Sequence, residues 1–246
     1  MKKIHINCDL GEGGDFDADL MPRISACNIA CGGHAGNLET MQQTIKLAIE
    51  YGVEIGAHPS YPDKENFGRK SIEISAEKLQ RSIVAQILSL KQLAEAEGVK
   101  LTHVKPHGAL YNEAAKDEKI AKIVIDALLE FDQKLALFSP PNSVISELAK
   151  GKIPIVFEAF ADRNYNQDFS LVSRSRSNAL ISEKEAVFKH LFFIFSDRKI
   201  TCENGEKISC NATTFCLHSD TPNSVEILSF LEHKFAEHNI EIKNLR

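Results

Sequence analysis

Short apolar runs, each followed by a longer stretch of helical periodicity, recur along the chain. Residues 4–8, 24–29, 54–57, 101–104, 135–138, 155–157 and 214–217 read as strands. Between them, Leu38, Met41, Ile45, Ala48 and Ile49 fall on one helical face, as do Leu79, Ile83, Ile87, Leu90 and Leu93. Ile120, Ile123 and Ala127 mark a further amphipathic helix. Two helix starts are written in the side chains. Ser182 with Glu185 three residues on makes a capping-box pattern, and Thr221-Pro222 sets a hydroxyl before a proline at the first helical position. Strand and helix alternate about seven times, which implies a parallel α/β sheet, and that count suits a closed β/α barrel better than a short open sheet. A doubly wound sheet is the alternative. Stretches 162–178 and 199–211 are the least periodic, and the second is expected to hold a hairpin turning at Asn204-Gly205.

Composition narrows the class. The chain has 246 residues, 43% hydrophobic and 26% charged, with no Pro- or Ser-rich linker. A single domain over residues 1–246 is therefore expected, since α/β barrels reach this length around one core. The net charge of −5 is dispersed, with no Lys/Arg block to track a phosphate backbone, so nucleic acid is not an expected partner. The first residues alternate polar with apolar and do not build a signal peptide, and no apolar run is long enough to cross a membrane. The six cysteines contain no CxxC pair and read as reduced core thiols, which points to the cytoplasm.

The chemistry gathers at the strand ends. Five of the nine histidines lie there, where parallel α/β folds place their active-site loops. Asp9 and Glu12 stand three apart among glycines in the run 7–14, although a capped turn with solvated acids is an equal reading of that run alone. His34 sits among small residues, with little bulk to pack against, which favours a functional imidazole. Cys27 and Cys31 have an i, i+4 spacing but read as buried thiols more readily than as ligands. His58 directly follows a strand, and Arg69 has the fork to pair with an anion. In the run 103–112, strand alternation sends His103, Lys105 and His107 to one side. Asp162 and Arg163, then His218 and Asp220, close the later strands, with Asp220 alternatively capping a helix at Pro222. Together Asp9, Glu12, His34, His58 and His107 suit a divalent metal such as Zn, Mn or Co, or general acid/base work. No HExxH or compact zinc motif accompanies them.

These segments, with 56–63, 105–112, 160–165 and 218–222, resemble the LamB/YcsF family in order and over almost the whole chain. The resemblance implies a seven-stranded β/α barrel of the glycoside hydrolase/deacetylase type. It also implies ATP-dependent opening of 5-oxoproline to L-glutamate, with partner subunits B and C that resemble the two parts of allophanate hydrolase. The chain has no GxxxxGK[ST] phosphate loop, so the ATP step is implied to involve the partners. On this reading Asp9 and Glu12 orient water or bind metal, and His34, His58 and His107 are further ligands or proton carriers. Lys105 or Arg69 holds the substrate carboxylate or the developing oxyanion, while Asp162, Arg163, His218 and Asp220 line the rim or support it. The chain departs from the family pattern at Gly33, where phenylalanine is common, at Asn37 for aspartate, at Pro140-Pro141, and at Ser219 and Asn223 for glycines. Two other readings compete: a stand-alone metal-dependent amidase or deacetylase, and a non-catalytic protein that binds the lactam for its partners.

Overall fold

The computed structural model describes residues 1–244. Within them ten strands run in chain order: β1 (Lys2–Leu10), β2 (Ala26–Ala30), β3 (Glu54–His58), β4 (His103–Val104), β5 (Ala136–Ser139), β6 (Ile155–Phe160), β7 (Lys199–Thr201), β8 (Lys207–Ser209), β9 (Thr214–Cys216) and β10 (Ile240–Ile242). Strands β1 to β6 and β9 are parallel neighbours in that order, and β9 pairs back onto β1, so seven strands close a barrel. β10 adds a parallel edge to the start of β1, from Lys2↔Ile240 to Ile4↔Ile242. β7 and β8 form the expected antiparallel hairpin, with Gly205 at φ +87 supplying its turn. Among the described residues no helix is long and apolar enough to cross a membrane.

Eight helices, α1 (Asp17–Leu20), α2 (Leu38–Tyr51), α3 (Ala76–Ala96), α4 (Gly108–Ala114), α5 (Glu118–Leu129), α6 (Val144–Ala149), α7 (Lys184–Asp197) and α8 (Ser224–Glu237), lie between the strands among the described residues. α3 buries Leu79, Ile83, Ile87 and Leu90 completely, each worth roughly 1.5–3 kcal/mol of transfer free energy. In α2 the buried stripe is Met41, Thr44, Ile45 and Ala48. Leu38 and Ile49, expected on that stripe, are exposed: Leu38 lies at the first helical position, a turn before the packed stripe, and Ile49 is a residue's rotation round from Ala48. α5 is rotated likewise, fully burying Val124, Ile125 and Leu128 while Ile120 and Ile123 are only partly covered.

Both written helix starts are displaced. α7 begins at Lys184 behind Glu183, with no side-chain cap. Ile181 donates its N–H to the Asp162 carbonyl at 2.9 Å, and that bond anchors the chain in the approach to the helix. α8 begins at Ser224 behind Asn223, whose backbone is left-handed (φ 61), and Pro222 stays in the preceding turn. The Thr221 hydroxyl donates instead to Asp162 Oδ2 at 2.5 Å, and Asp220 does not cap α8.

A polar ladder crosses the barrel interior. Asn7 Nδ2 donates to Thr214 Oγ1 at 2.8 Å, Asn28 Nδ2 donates to Asn7 Oδ1 at 2.8 Å, and His103 Nε2 meets Asn28 Oδ1 at 2.8 Å. The His103 ring stacks on Phe138 at 4.0 Å and lies over Gly56, where a Cβ would come within 2.1 Å of Nε2. His103 therefore packs into this ladder and does not join Lys105 and His107 as the strand alternation suggested.

Candidate active site

Period-two alternation turns Asp9, His58, Lys105, Glu158 and Cys216 inward at or near the C-terminal ends of β1, β3, β4, β6 and β9. Lys105 is 1% exposed. Its Nζ lies 2.9 Å from Asp9 Oδ1, 3.0 Å from Glu158 Oε1, 3.0 Å from Cys216 Sγ and 3.4 Å from Asn7 Oδ1. Burial alone would strip a proton from this amine, but Asp9 and the other partners hold it well above the usual lysine range. The reverse holds for Asp9: burial pushes its carboxyl up, while His58 and Lys105 bring it well below the usual range. Asp9, Cys216 and His218 also approach one another as metal ligands would, but the Lys105 ammonium already sits between Asp9 and Cys216 as their cation.

A second group of ligands stands beside the first. His58 Nδ1 lies 2.7 Å from the Lys105 carbonyl, and His107 Nε2 lies 2.9 Å from the Phe67 carbonyl. Carbonyls only accept, so these nitrogens carry the protons, and His58 Nε2 and His107 Nδ1 face each other at 2.9 Å. Burial, with His58 and His34 beside it, holds His107 well below the usual histidine range, so its Nδ1 presents a lone pair. Two ring nitrogens so placed need a proton or a cation between them. Glu12 Oε1 lies 3.4 Å from His107 Nδ1, 3.8 Å from His58 Nε2 and 3.0 Å from His34 Nε2. Separations of this order, and ring orientations fixed by backbone carbonyls, fit a divalent metal on Glu12, His34, His58 and His107. Asp9, expected in that set, touches it only through His58, at 3.4 Å.

The loop after β3 sets this geometry. Phe67 and Gly68 are both left-handed (φ 55 and 61), a strained conformation for phenylalanine, and together they aim the Phe67 carbonyl at His107. Ala109 N–H bonds the Gly68 carbonyl at 2.9 Å, and a Cβ on Gly108 would come within 2.6 Å of that oxygen. His34 stacks on His107 at 3.6 Å, and its Nδ1 is buried without a hydrogen-bond partner among the described residues.

Across the cavity, His218 Nδ1 lies 2.9 Å from Asp162 Oδ2, leaving Nε2 as the nitrogen free to work. Burial pushes the Asp162 carboxyl up, yet His218 and Thr221 bring it down to about 2. An open cavity of about 450 Å³ is lined by Asp9, Glu12, His58, Lys105, His107 and His218, with Arg69, Arg163, Arg174 and Asp220 among its other walls. Asp162, expected to line the rim or to support it, is fully buried beneath His218 and holds that ring, and His34 stands behind His107. Glu158, Asn7 and Asn28 open strand-end runs that the sequence marks as polar clusters but were given no role, Cys216 reads only as a core thiol, and Arg174 is not marked at all. A charged residue inside the apolar run 155–160 was the available signal for Glu158, whereas Arg174 lies in an aperiodic loop that carries none.

The departures from the family pattern acquire physical reasons. A Cβ on Gly33 would come within 2.3 Å of Gln86 Oε1, and Gln86 bonds both backbone groups of Ser60 at 3.0 and 2.9 Å, so this glycine accompanies that glutamine. Asn37 caps α2 by accepting from Thr40 N–H at 3.0 Å, as an aspartate would.

Comparison with known proteins agrees with the family and the fold. The model of the LamB/YcsF family matches residues 4–246. The A component of 5-oxoprolinase from Pyrococcus abyssi is 39% identical over 250 residues, covering 99% of this chain and 98% of the relative. The crystal structure of a lactam utilization protein from Thermus thermophilus superposes with a TM-score of 0.92 at 32% identity, covering 100% of both chains. A T48 deacetylase solved with substrate shares the fold alone, with a TM-score of 0.51 at 14% identity, covering 99% of this chain and 88% of its own.

Proposed function

The chain belongs to the LamB/YcsF family, and from that premise we propose that it is the ring-opening component of an ATP-dependent 5-oxoprolinase. It converts 5-oxo-L-proline to L-glutamate together with partner subunits B and C, in the cytoplasm. The observation that carries this reading is the buried Lys105 ammonium held between Asp9 and Glu158 on the cavity floor. A buried, preorganised cation serves a carbonyl group whose oxygens gain negative charge under attack.

Hydrolysis of the lactam adds a water oxygen to the carbonyl carbon and breaks the ring C–N bond. The water loses one proton and the ring nitrogen gains one. Asp9, kept ionised, orients the water and takes its proton; Lys105 stabilises the negative charge that builds on the oxygens of the tetrahedral intermediate; His218, held by Asp162, protonates the departing nitrogen. A divalent cation on Glu12, His34, His58 and His107 would supply Lewis acidity beside that carbonyl. A five-membered lactam is an unreactive amide, and ATP activates it on the partner subunits, since this chain has no phosphate loop: the terminal phosphoryl group passes to the amide oxygen and ADP leaves, C–N cleavage by the first water leaves an acyl phosphate, and a second water releases glutamate and inorganic phosphate.

The four-residue cluster also favours a second reading, a stand-alone metal-dependent amidase or deacetylase. Glutamate release from 5-oxoproline, measured with ATP, B and C each omitted in turn, separates the two. Release only in the complete mixture is expected, whereas partner-free, metal-dependent hydrolysis of another amide would replace the oxoprolinase reading.

A further inference from the structure

The walls of the cavity carry opposite charge. Two carboxylates, Asp9 and Glu12, line one part of it beside Lys105 and the histidines, with Glu158 buried against Lys105, whereas three guanidiniums, Arg69, Arg163 and Arg174, line another part of the same space. Arg69 Nη2 lies 2.5 Å from Asp220 Oδ2, and Arg174 Nη1 lies 3.5 Å from that same oxygen. Arg163 is 5% exposed. Its Nε and Nη2 donate to the carbonyls of Ala179 and Val172 at 3.2 and 2.7 Å, so the loop fixes the plane of the fork while Nη1 has no hydrogen-bond partner among the described residues.

We propose that this arginine wall is a binding subsite for a phosphoryl group carried on the substrate, with Asp220 holding the place of the phosphate oxygens until it arrives. The inference rests on the oxoprolinase reading for the identity of the substrate, but not for the existence of the subsite. Charge argues for phosphoryl over carboxylate. Arg69 and Arg174 share the carboxylate of Asp220, Arg163 keeps one guanidinium nitrogen without a hydrogen-bond partner among the described residues, and Lys116 is paired with Asp168 at 3.9 Å. Three guanidiniums against the one carboxylate of Asp220 in this wall favour a group with more than one negative charge, as in a phosphate monoester, which carries about −1.5 to −2 at pH 7. A substrate carboxylate would need only one such fork. The cavity is also far larger than a single five-membered lactam requires, and it has room for an electrophilic ring at the lysine and an anionic group at the arginines. Asp220 is about one-third exposed and sits in the turn before α8, where it can swing aside.

The test is calorimetric binding of inorganic phosphate to the purified full chain in the presence of a chelator, with acetate as the carboxylate probe. Phosphate is expected to bind and acetate to bind at least tenfold more weakly. Arg174→Gln, which leaves the buried Arg163 anchor in place, should weaken phosphate at least tenfold, and Asp220→Asn should tighten it by removing the competing oxygen. Absent phosphate binding, equal binding of acetate, or affinity unchanged in both variants would overturn the subsite. Because no turnover is involved, a chain that binds phosphate in this pattern but releases no glutamate in the complete mixture would defeat the oxoprolinase reading and leave the subsite standing.

Discussion

At Lys105 one substitution acts on two properties. Lys105→Met leaves Asp9 and Glu158 facing each other without a cation, and breaking a buried ion pair costs about 3–5 kcal/mol. The same change removes the donor to the oxyanion, for which kcat is expected to fall roughly 10²–10³-fold. Urea denaturation and steady-state turnover of the reconstituted mixture check the two halves separately. Gly33 tests packing alone. Gly33→Ala drives a Cβ into Gln86 and Ser60 and is expected to destabilise by about 1–3 kcal/mol. In the double variant with Gln86→Ala the cost should be less than the sum of the single costs, because one of the two clashing side chains is gone while Ser60 remains. A thermal-melt cycle over the four proteins measures this coupling. The residue scale also shows what can be read from sequence. His58, Lys105 and His107 stood out because they follow strand signals closely. Glu158 did not, because its partner Lys105 is 53 residues away in sequence and only barrel closure brings the two together.

Asp162 ties separate elements to one another. Its carboxylate accepts from His218 after β9 and from Thr221 before α8, while its carbonyl accepts from Ile181 before α7. Its folded pKa of about 2 lies below the unfolded aspartate value of about 3.9. The unfolded chain therefore takes up a proton first as the pH falls, so this group's stabilisation is complete above about pH 4 and is lost between about pH 4 and 2. Linkage puts the loss at about 2–3 kcal/mol for so buried a group. Urea denaturation across that range should show the gap between the native chain and Asp162→Asn closing as the pH falls; a gap constant with pH would show that the carboxylate is not ionised in the fold. The same staple explains why two helix starts were misread. Ser182 and Thr221 have the right local spacing for caps, but a tertiary carboxylate takes the Thr221 hydroxyl, and the Asp162 carbonyl takes the backbone beside Ser182. Local capping signals compete with such long-range partners, and the sequence does not show which partner wins.

For the molecule as a whole, the strand count was legible because each strand is a short apolar run with turn residues at its ends, and all seven runs became barrel strands. The closing of β9 onto β1 was an expectation from strand number and from the family resemblance, and β10 on the edge was not foreseen, since Ile240–Ile242 is too short to stand out. The fold sets acids and Lys105 against the arginines in one cavity, an arrangement suited to holding a charged lactam while its carbonyl is attacked. The central claim is that ring opening takes place in this cavity and not on the partner subunits. Replacing the native chain by Asp9→Asn in the complete mixture of ATP, B and C tests it most directly, with glutamate release followed at saturating 5-oxoproline. The expected result is a fall in kcat of at least about 100-fold, as for loss of a general base. An unchanged kcat with a raised KM would contradict the claim and make the chain a lactam-binding protein whose partners carry out the chemistry.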